Sequence, residues 1–359
     1  MASKRLTATR LAAPIAAALL ALLLPLRAAL ADAGGSWPRS VTDALGRTCT
    51  VPRPPQRIVP LFSGNTELVA GLGLAGLIVG IDARTWYPPE IAGLPKIGSR
   101  LGVSVEQVAA RKPDLVVITP STEVPQALTA ALSRMGIPSV VLASRSVAEI
   151  ESNFRTVAYL AGVEERGELV IAGMERRLAD VRRRRAGKPK PRVVLVTSKL
   201  PSGLFGVVRK GGYTGEIVEL AGGILALDEG VSGPRLPQIS PEALIALDPD
   251  VIVEVRRRDQ GPEIAEYLAR PSFSRLKAQR EGQIHVLASS GFLIPAARVV
   301  DGVEALCRIF DERDATVAGD SMEARDAKGA GVHAEARDAK GAGDPTEAGD
   351  SVGAGSSGQ

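Results

Sequence analysis

Residues 104–117 read Ser-Val-Glu-Gln-Val-Ala-Ala-Arg-Lys-Pro-Asp-Leu-Val-Val, and residues 240–253 read Ser-Pro-Glu-Ala-Leu-Ile-Ala-Leu-Asp-Pro-Asp-Val-Ile-Val. In both stretches a serine that can cap a helix is followed by an acid for the first turn, and Pro-Asp then leads into an apolar strand. The repeat predicts two similar α/β units with a cleft between them and one equivalent glutamate on each. The matching positions are Ser104, Glu106, Pro113 and Asp114 in the first stretch and Ser240, Glu242, Pro249 and Asp250 in the second.

The distribution of charge excludes one broad class of partner. The chain has 359 residues and a formal charge of +4. Residues 1–31 contain four basic residues and no acidic residue, whereas residues 313–359 contain five basic and nine acidic residues. The basic isoelectric point therefore comes largely from the first residues, and a chain that begins at Asp32 is close to neutral. Because such a chain lacks the positive surface of a nucleic-acid binder, we expect no nucleic-acid partner.

The N-terminus has the three parts of a secretory signal peptide. Basic residues precede an apolar stretch at 11–26, and the small residues Ala29 and Ala31 favour cleavage before Asp32. The alternative is an uncleaved anchor, but the apolar stretch contains prolines and is shorter than the roughly 20 residues that span a bilayer. Because no cysteine follows the cleavage point, we do not expect a lipoprotein. The sequence predicts an exported protein that is cleaved near Ala31.

Strands and helices alternate in the first half of the folded region, which predicts a parallel sheet covered on both faces. The pattern at 41–51 predicts a small hairpin around Leu45. Asn65 is predicted to open a helix that ends at Gly73, with Glu67 at the positive end of the helix dipole. The predicted strands are 57–62, 77–81, 115–119 and 140–143, and a further helix is predicted at 124–135.

The alternation resumes after a long helix. Helical spacing of apolar residues predicts that helix over 165–185, and a Gly/Pro-containing run at 187–191 ends it. The tail is rich in Gly, Ala, Asp and Glu and repeats its 323–331 sequence at 335–343, so we expect it to be disordered. Later strands are predicted at 192–197, 251–255 and 284–287, and helices at 215–221 and 299–310. The predicted domains are a signal peptide (1–31), an N-terminal α/β lobe (32–160), a linking helix (161–190), a C-terminal α/β lobe (191–312) and the tail (313–359).

No set of residues suited to catalysis stands out, so we expect a protein that is not an enzyme. The run from Gly71 to Gly76 matches the dinucleotide fingerprint, but a helix precedes it and a strand follows, which reverses the order that the fingerprint needs. His285 lies in an apolar run, and this favours a structural role over metal ligation. Cys49 and Cys307 could pair in an oxidising compartment, although we favour no disulfide.

The few aromatic residues indicate candidate ligand contacts. Trp86 and Tyr87 follow the predicted strand 77–81, and ligands of open α/β sheets bind at the carboxyl ends of strands. The other interpretation is a loop packed onto its own lobe. Matching loops in both units carry cations and aromatic rings that would suit a bulky anionic ligand. The candidate ligand-binding residues are Arg84, Trp86, Tyr87, Arg100, Lys199, Tyr213, Phe292 and Arg298.

Several short motifs follow one another in a specific order between residues 55 and 310. They are Arg57-Ile58-Val59, Asn65-Thr66-Glu67-Leu68, Tyr87-Pro88-Pro89-Glu90, Val105-Glu106-Gln107-Val108, Lys112-Pro113-Asp114-Leu115, Glu219-Leu220-Ala221-Gly222-Gly223 and Ile239-Ser240-x-Glu242. Together they resemble the periplasmic substrate-binding proteins of metal-chelate ABC importers, which take up cobalamin, ferric siderophores and haem.

The resemblance implies two parallel-sheet α/β lobes joined by one long linking helix, with the ligand in the cleft between them. It implies a periplasmic monomer that binds no cofactor and works with an inner-membrane permease and its ATPase. It also implies that Glu106 and Glu242 dock onto arginines of the permease. From the residues alone, helix capping by each Ser-x-Glu pair remains an alternative explanation of both glutamates. A single long helix between the lobes limits hinge motion, so we expect little closure.

Two departures from the family favour an anionic iron chelate, a ferric siderophore, as the ligand. Arg100 stands where cobalamin binders of this family often have a tryptophan, and the loop ending at Phe292 has no acid. Cobalamin and haem remain alternatives, and Tyr87, Tyr213 or His285 could serve as the axial ligand of a haem. A chelatase-like enzyme would need histidines in the cleft and no signal peptide. A third alternative is an interaction protein that uses its charged tail.

Overall fold

The computed structural model describes residues 36–83, 85–98, 102–120, 124–227, 237–256, 263–288 and 291–338, without the side chains of 124, 125 and 319–338. The predicted signal peptide lies outside these ranges, as do Arg84 and Arg100. None of the helices described is both long enough and apolar enough to cross a membrane. The chain divides into one compact unit that ends at Cys307 and a second that begins at Arg308.

The first described element is an antiparallel hairpin, as predicted. Strands β1 (Arg39–Thr42) and β2 (Thr48–Val51) pair with Arg39 opposite Val51. The Asp43 carboxylate accepts hydrogen bonds from the backbone N–H groups of Leu45 (2.9 Å) and Arg47 (3.0 Å). The turn passes through Gly46 at φ 73°, a conformation that costs glycine little. An Asx turn and a left-handed glycine therefore set the hairpin register.

A three-stranded parallel sheet forms the first lobe, in the order β3-β4-β5. Every residue of β4 is buried, because helices cover both faces of a parallel sheet and favour a continuous apolar run. The elements are β3 (Ile58–Pro60), α1 (Ser63–Val69) continued by a π-helical turn (Ala70–Leu74), α2 (Val105–Ala109), β4 (Leu115–Ile118), α3 (Val124–Arg134) and β5 (Ser139–Val141). Two 3₁₀ turns lie at Ala75–Leu77 and Pro89–Ile91.

Two helices lie between the sheets in sequence. Helix α4 (Val147–Ala161) is capped by Ser146, whose Oγ accepts a hydrogen bond from the Glu149 N–H at 3.1 Å, and it ends at Gly162 with φ 74°. Helix α5 (Glu164–Arg185) has 22 residues, which gives a length of about 33 Å. Its first turn is acidic and its last turn is entirely arginine, and both match the helix dipole. The long helix predicted over 165–185 is thereby confirmed.

A six-stranded sheet forms the second lobe, in the order β11-β10-β6-β7-β9, with β8 also paired to β6. Strands β8, β10 and β11 belong to its parallel part, as predicted, whereas β7 and β9 pair antiparallel, which the sequence did not predict. The strands are β6 (Arg192–Lys199), β7 (Phe205–Val207), β8 (Ile224–Leu225), β9 (Gln238–Ile239), β10 (Val251–Arg256) and β11 (Ile284–Ala288). The helices are α6 (Tyr213–Leu220), α7 (Pro241–Leu247), α8 (Glu263–Leu268), α9 (Lys277–Arg280) and α10 (Val299–Asp338), with a 3₁₀ turn at Pro271–Phe273.

Each sheet has a hydrophobic core of its own. The first core lies between β3, β4, β5 and helices α2 and α3, where Val116 and Leu132 are fully buried. The second lies between β6, β7, β10 and the helices on that sheet, where Phe205 and Leu268 are fully buried. Each fully buried side chain of this kind contributes about 1.5–3 kcal/mol to folding. Two separate cores confirm the prediction of two α/β lobes.

The repeated sequence occupies the same place in both lobes. Leu115 pairs with Ile58 at the start of the first sheet, and Val251 pairs with Val193 at the start of the second. The residue before the repeat's proline has a positive φ in both copies, 48° at Lys112 and 38° at Asp248. Each copy of the repeated sequence therefore forms a capped helix, a turn and a strand.

Three predictions need correction. Residues 77–81 form no strand, because helical turns continue past Gly73 to Leu77 and leave only isolated bridges at Ile78 and Ile81. Helix α1 begins at Ser63, so Asn65 lies inside it and does not cap it. The tail predicted to be disordered from 313 is helical through Asp338, because its Ala, Glu, Arg and Lys residues are good helix formers. Residues 339–359 lie outside the described part.

Candidate ligand and docking sites

The loop that carries Trp86 and Tyr87 is fixed at its base. Thr85 is 2% exposed; its hydroxyl lies 3.0 Å from that of Ser63, and its carbonyl accepts a hydrogen bond from Lys96 Nζ at 2.7 Å. The two rings meet edge to face, with centroids 5.9 Å apart. Trp86 is 42% exposed and Tyr87 is half-buried. A large exposed indole on an anchored loop is a surface suited to an apolar or aromatic ligand.

Arg298 joins this loop to helix α1. Its Nε donates to Glu67 Oε2 at 2.8 Å and its Nη2 donates to Glu67 Oε1, which makes a two-bonded fork. The guanidinium carbon lies 3.8 Å from the centroid of the Tyr87 ring. The Glu67 side chain is 4% exposed and that of Arg298 is 20% exposed. Two of the predicted ligand residues, Tyr87 and Arg298, are thus in direct contact, and a carboxylate compensates the charge of the arginine.

Burial and pairing both shift the pKa values of Glu67 and Arg298. Desolvation raises the pKa of the Glu67 carboxyl above its ordinary value, and the hydrogen bonds and charge of Arg298 offset part of the rise. Desolvation also disfavours the charged form of Arg298, but the hydrogen bonds and charge of Glu67 outweigh it and hold the guanidinium pKa above its usual range. Sequence analysis missed this partner, because it assigned Glu67 to a helix dipole. Nothing in the sequence spacing connects positions 67 and 298.

The segment from Gly291 to Arg298 is fixed between the lobes. The Thr214 hydroxyl, at the start of α6, donates to the Phe292 carbonyl at 3.1 Å. On the other side, a Cβ placed on Gly64 would lie 3.0 Å from the Pro295 ring, so α1 approaches this segment closely. Phe292 is only 1% exposed. The expectation that Phe292 presents a packing surface to the ligand is therefore corrected: its ring fills the core beneath the segment.

The remaining candidates lie on the second lobe. Lys199, at the end of β6, is exposed, and its Nζ lies 4.8 Å from the centroid of the Tyr267 ring. A small cavity of about 50 Å³ beside it is lined partly by Thr197, Ser198 and the buried Glu254. Tyr213 is the first residue of α6 and is half-buried. The sequence placed both residues after a strand ending at Thr197; the structure extends that strand to Lys199 and places Tyr213 at a helix start beyond β7.

Residues suited to bind a metal directly are not clustered in the part of the chain that the structure describes. No group of three or more His, Cys, Asp or Glu side chains converges there. His285, on β11, is half-buried, and its Nε2 lies 3.2 Å from Gln283 Oε1. Cys49 and Cys307 are both buried, and neither forms a disulfide. A larger cavity of about 290 Å³ lies between the hairpin and α3, away from the Trp86 loop, and is lined by Leu45, Arg47, Gln126, Thr129, Ala130 and Ser133.

Glu106 and Glu242 have the same local geometry. Each follows a serine whose Oγ accepts a hydrogen bond from the N–H three residues on, at 3.2 Å in both Ser104 and Ser240. The serines therefore cap α2 and α7. Both glutamates are exposed, and the hydrogen bond from the neighbouring serine lowers the pKa of each carboxyl below its ordinary value. Each lobe presents one ionised carboxylate to solvent from a helix start.

Comparison with known proteins gives a consistent result. Residues 58–290 match the family described as periplasmic binding protein. The vitamin B12-binding protein of Vibrio cholerae is 25% identical over 256 residues, which cover 71% of this chain and 89% of that protein. The periplasmic haem-binding protein RhuT from Roseiflexus sp. RS-1 is 27% identical, with a TM-score of 0.63 over 72% of this chain and 99% of its own. An ABC-type Fe³⁺-hydroxamate transport protein from Saccharomonospora viridis shares the fold at 21% identity, with a TM-score of 0.62 over 77% of this chain and 99% of its own.

Proposed function

Because the chain belongs to the periplasmic binding protein family, we propose that it is the extracytoplasmic substrate-binding protein of an ABC importer for metal chelates. It is a binding protein and not an enzyme. The relatives that it matches over most of their length bind vitamin B12 or haem by name, and a structural neighbour belongs to a ferric hydroxamate transport system. In this proposal the exposed Trp86 ring, beside Tyr87 on the first lobe, is the main contact of the chelate.

The observation that supports our choice of chelate is the pairing of Arg298 with Glu67. Sequence analysis favoured an anionic ferric siderophore partly because it counted Arg298 as a cation for the ligand. A guanidinium whose charge a buried carboxylate compensates attracts an anion weakly. A flat aromatic surface with little net charge suits the face of a large uncharged macrocycle, so we propose cobalamin ahead of haem, whose propionates are anionic, and ahead of an anionic siderophore.

A ferric siderophore is the second candidate, and Lys199 supports it. The ammonium of Lys199 is exposed on the second lobe. Arg84 and Arg100 would add two more cations in this proposal, but both lie outside the described residues. Three cations would suit a carboxylate or catecholate siderophore.

The chain suits a test by fluorescence, because it has two tryptophans, Trp37 and Trp86. Trp37 stacks on Arg39 at 4.9 Å on the hairpin side. Titration of Trp37→Phe with cyanocobalamin, haemin, a ferric trihydroxamate and a ferric tricatecholate should quench the remaining Trp86 emission. Trp86→Phe is the matched control and should lose most of the quenching and bind more weakly. The proposal fails if no chelate quenches or stabilises the wild-type protein.

Delivery to the permease is the second part of the proposal. Glu106 and Glu242 are ionised, exposed and carried by equivalent helices of the two lobes. Two equivalent carboxylates suit two equivalent cationic sites on a permease dimer, and arginine is the side chain best matched to a carboxylate. We propose one docking ion pair per lobe.

A further inference from the structure

The buried ion pair beneath Tyr87 has no role in the function proposed so far. Glu67 lies on α1 of the first lobe, and Arg298 lies between β11 and α10. A salt bridge of this kind is weak evidence for stability, because two charges must lose their hydration. A well-packed apolar pair could hold the two elements together equally well. The charges therefore call for a role beyond packing.

The orientation of Arg298 indicates that role. A guanidinium is planar, and the fork to Glu67 fixes its plane through two hydrogen bonds. The same guanidinium also lies over the Tyr87 ring, with its central carbon 3.8 Å from the ring centroid. Tyr87 in turn contacts Trp86 edge to face. The carboxylate, the guanidinium and the two rings thus form a continuous chain of contacts from a buried helix to the exposed indole.

We propose that Glu67 and Arg298 are a positioning and specificity pair for the ligand site. The pair holds the plane of the Tyr87 ring, and Glu67 keeps the charge of Arg298 from the chelate. Glu67 thereby selects against anionic chelates, because the cation that would bind their oxygens is already engaged. This inference rests on the proposed function, since it assigns the pair to the same aromatic site.

The chain provides a matched control for the pair. Arg177 on α5 makes the same two-bonded fork to Glu304 on α10, at 2.8 and 2.7 Å, and its side chain is 42% exposed. That pair contacts neither Trp86 nor Tyr87 through the fork. Glu304→Gln therefore removes one carboxylate from a similar fork that lies outside the aromatic contacts. Arg177 keeps a second acidic partner there, since its Nη2 also donates to Asp301 at 2.6 Å.

The test compares Glu67→Gln, Glu304→Gln and the wild type with two neutral chelates and two anionic ones. The neutral probes are cyanocobalamin and a ferric trihydroxamate, and the anionic probes are haemin and a ferric tricatecholate. Glu67→Gln should raise the affinity for anionic relative to neutral probes roughly tenfold, because it releases one charged hydrogen-bond donor. Glu304→Gln should leave that ratio unchanged. An unchanged ratio in Glu67→Gln, with chelates still bound, overturns the inference and leaves the proposed function intact.

A second measurement needs no ligand. Near-ultraviolet circular dichroism of the unliganded protein reports the setting of the Trp86 and Tyr87 rings. The spectrum should change in Glu67→Gln and in Arg298→Lys, which keeps the charge but cannot form a planar fork, and it should not change in Glu304→Gln. Wild-type spectra in both pair variants would overturn the inference, even if the wild type bound none of the four chelates and the proposed function had failed. Far-ultraviolet spectra identify any variant that does not fold, and Arg298→Lys then replaces Glu67→Gln.

Discussion

Asp114 and Asp250 bind the first strands of their two sheets in the same way. The Asp114 carboxylate accepts a hydrogen bond from the Arg57 N–H at 2.9 Å, and that of Asp250 accepts one from the Arg192 N–H at 2.8 Å. Each aspartate also donates its own N–H to the carbonyl of the same partner at 2.9 Å. The aspartate of each Pro-Asp therefore fixes the register between two strands, β3 with β4 in the first sheet and β6 with β10 in the second.

We expect Asp114→Ala and Asp250→Ala to destabilise the protein by about 1–3 kcal/mol each, because each leaves charged-acceptor hydrogen bonds to backbone N–H groups unmade. Asp250→Ala should destabilise the protein at least as much as Asp114→Ala, since the Asp250 carboxylate also accepts a hydrogen bond from Lys277 Nζ at 2.6 Å. The free energy of unfolding in urea measures the effect. Asp180→Ala is the control, because its pair with Arg183 lies on an exposed helix face and contributes about 0.3–0.5 kcal/mol at most. Equal losses in all three variants would contradict this account.

The buried thiol of Cys49 should resist reagents in the folded protein. Cys49 is 4% exposed, and burial, assisted by the charge of Asp43, raises the pKa of its thiol from 9.0 to about 11. A thiol with a raised pKa is neutral at pH 8, and only the thiolate reacts readily. We expect no labelling of Cys49 by a thiol reagent at pH 8 in native protein and full labelling in urea.

The same shift sets an alkaline limit on stability. Because the folded-state pKa lies above the unfolded value, the contribution of Cys49 is fully present below pH 9.0 and is lost as pH rises toward about 11. The free energy of unfolding of the wild type should therefore fall over that window relative to Cys49→Ala, when both are measured in urea. Parallel curves for the two proteins would contradict the prediction.

Arg39 should contribute measurably to the stability of the hairpin. It is 3% exposed and lies between the rings of Trp37 and Tyr159, at 4.9 Å from each centroid. Its Nη1 also donates to the Tyr159 carbonyl and to Glu164. The Glu164 side chain is 48% exposed, so removing Arg39 leaves no buried charge. We expect Arg39→Ala to cost about 1–3 kcal/mol from urea unfolding, below the 3–5 kcal/mol typical of a broken buried pair. A loss of under about 0.5 kcal/mol would contradict this.

Local rules predicted much of the fold, and long-range contacts account for some of the errors. The hairpin, the long helix and the repeated Ser-x-Glu elements depend on turn, cap and spacing signals within a few residues. The strand predicted at 77–81 was wrong for a local reason, because helical turns run on through Leu77 and leave only isolated bridges. Antiparallel pairing of β7 and β9 depends on a return of the chain that short-range patterns do not encode. The two lobes were predictable because the sequence itself repeats.

The candidate site also contains residues that local sequence could place and residues whose surroundings depend on distant parts of the chain. Trp86 and Tyr87 could be placed in a loop from their neighbours. Phe292 and Arg298 were assigned to the ligand because both follow a strand, but their environments depend on residues far away in sequence. Phe292 is buried beneath its own segment, and Arg298 faces Glu67, which precedes it by more than half of the chain. A buried acid on α1 could be recognised only once the fold had brought α1 to the segment before α10.

The docking role of Glu106 and Glu242 gives a prediction with a pH dependence. Serine caps already satisfy the helix starts, so Glu106→Lys and Glu242→Lys should leave chelate binding unchanged and abolish stimulation of the permease ATPase in proteoliposomes. Because the serine hydrogen bonds hold both carboxyl pKa values below the ordinary value of 4.5, the wild type should still dock at pH 5. Docking should be lost only as the pH falls below 4.5 and the two carboxylates become protonated. Glu165→Lys is the control, since Glu165 is also an exposed acid in a first helical turn but lies outside the repeat. Two results would count against one docking carboxylate per lobe. One is loss of ATPase stimulation in Glu165→Lys, and the other is loss of chelate binding in a variant that carries both Glu106→Lys and Glu242→Lys.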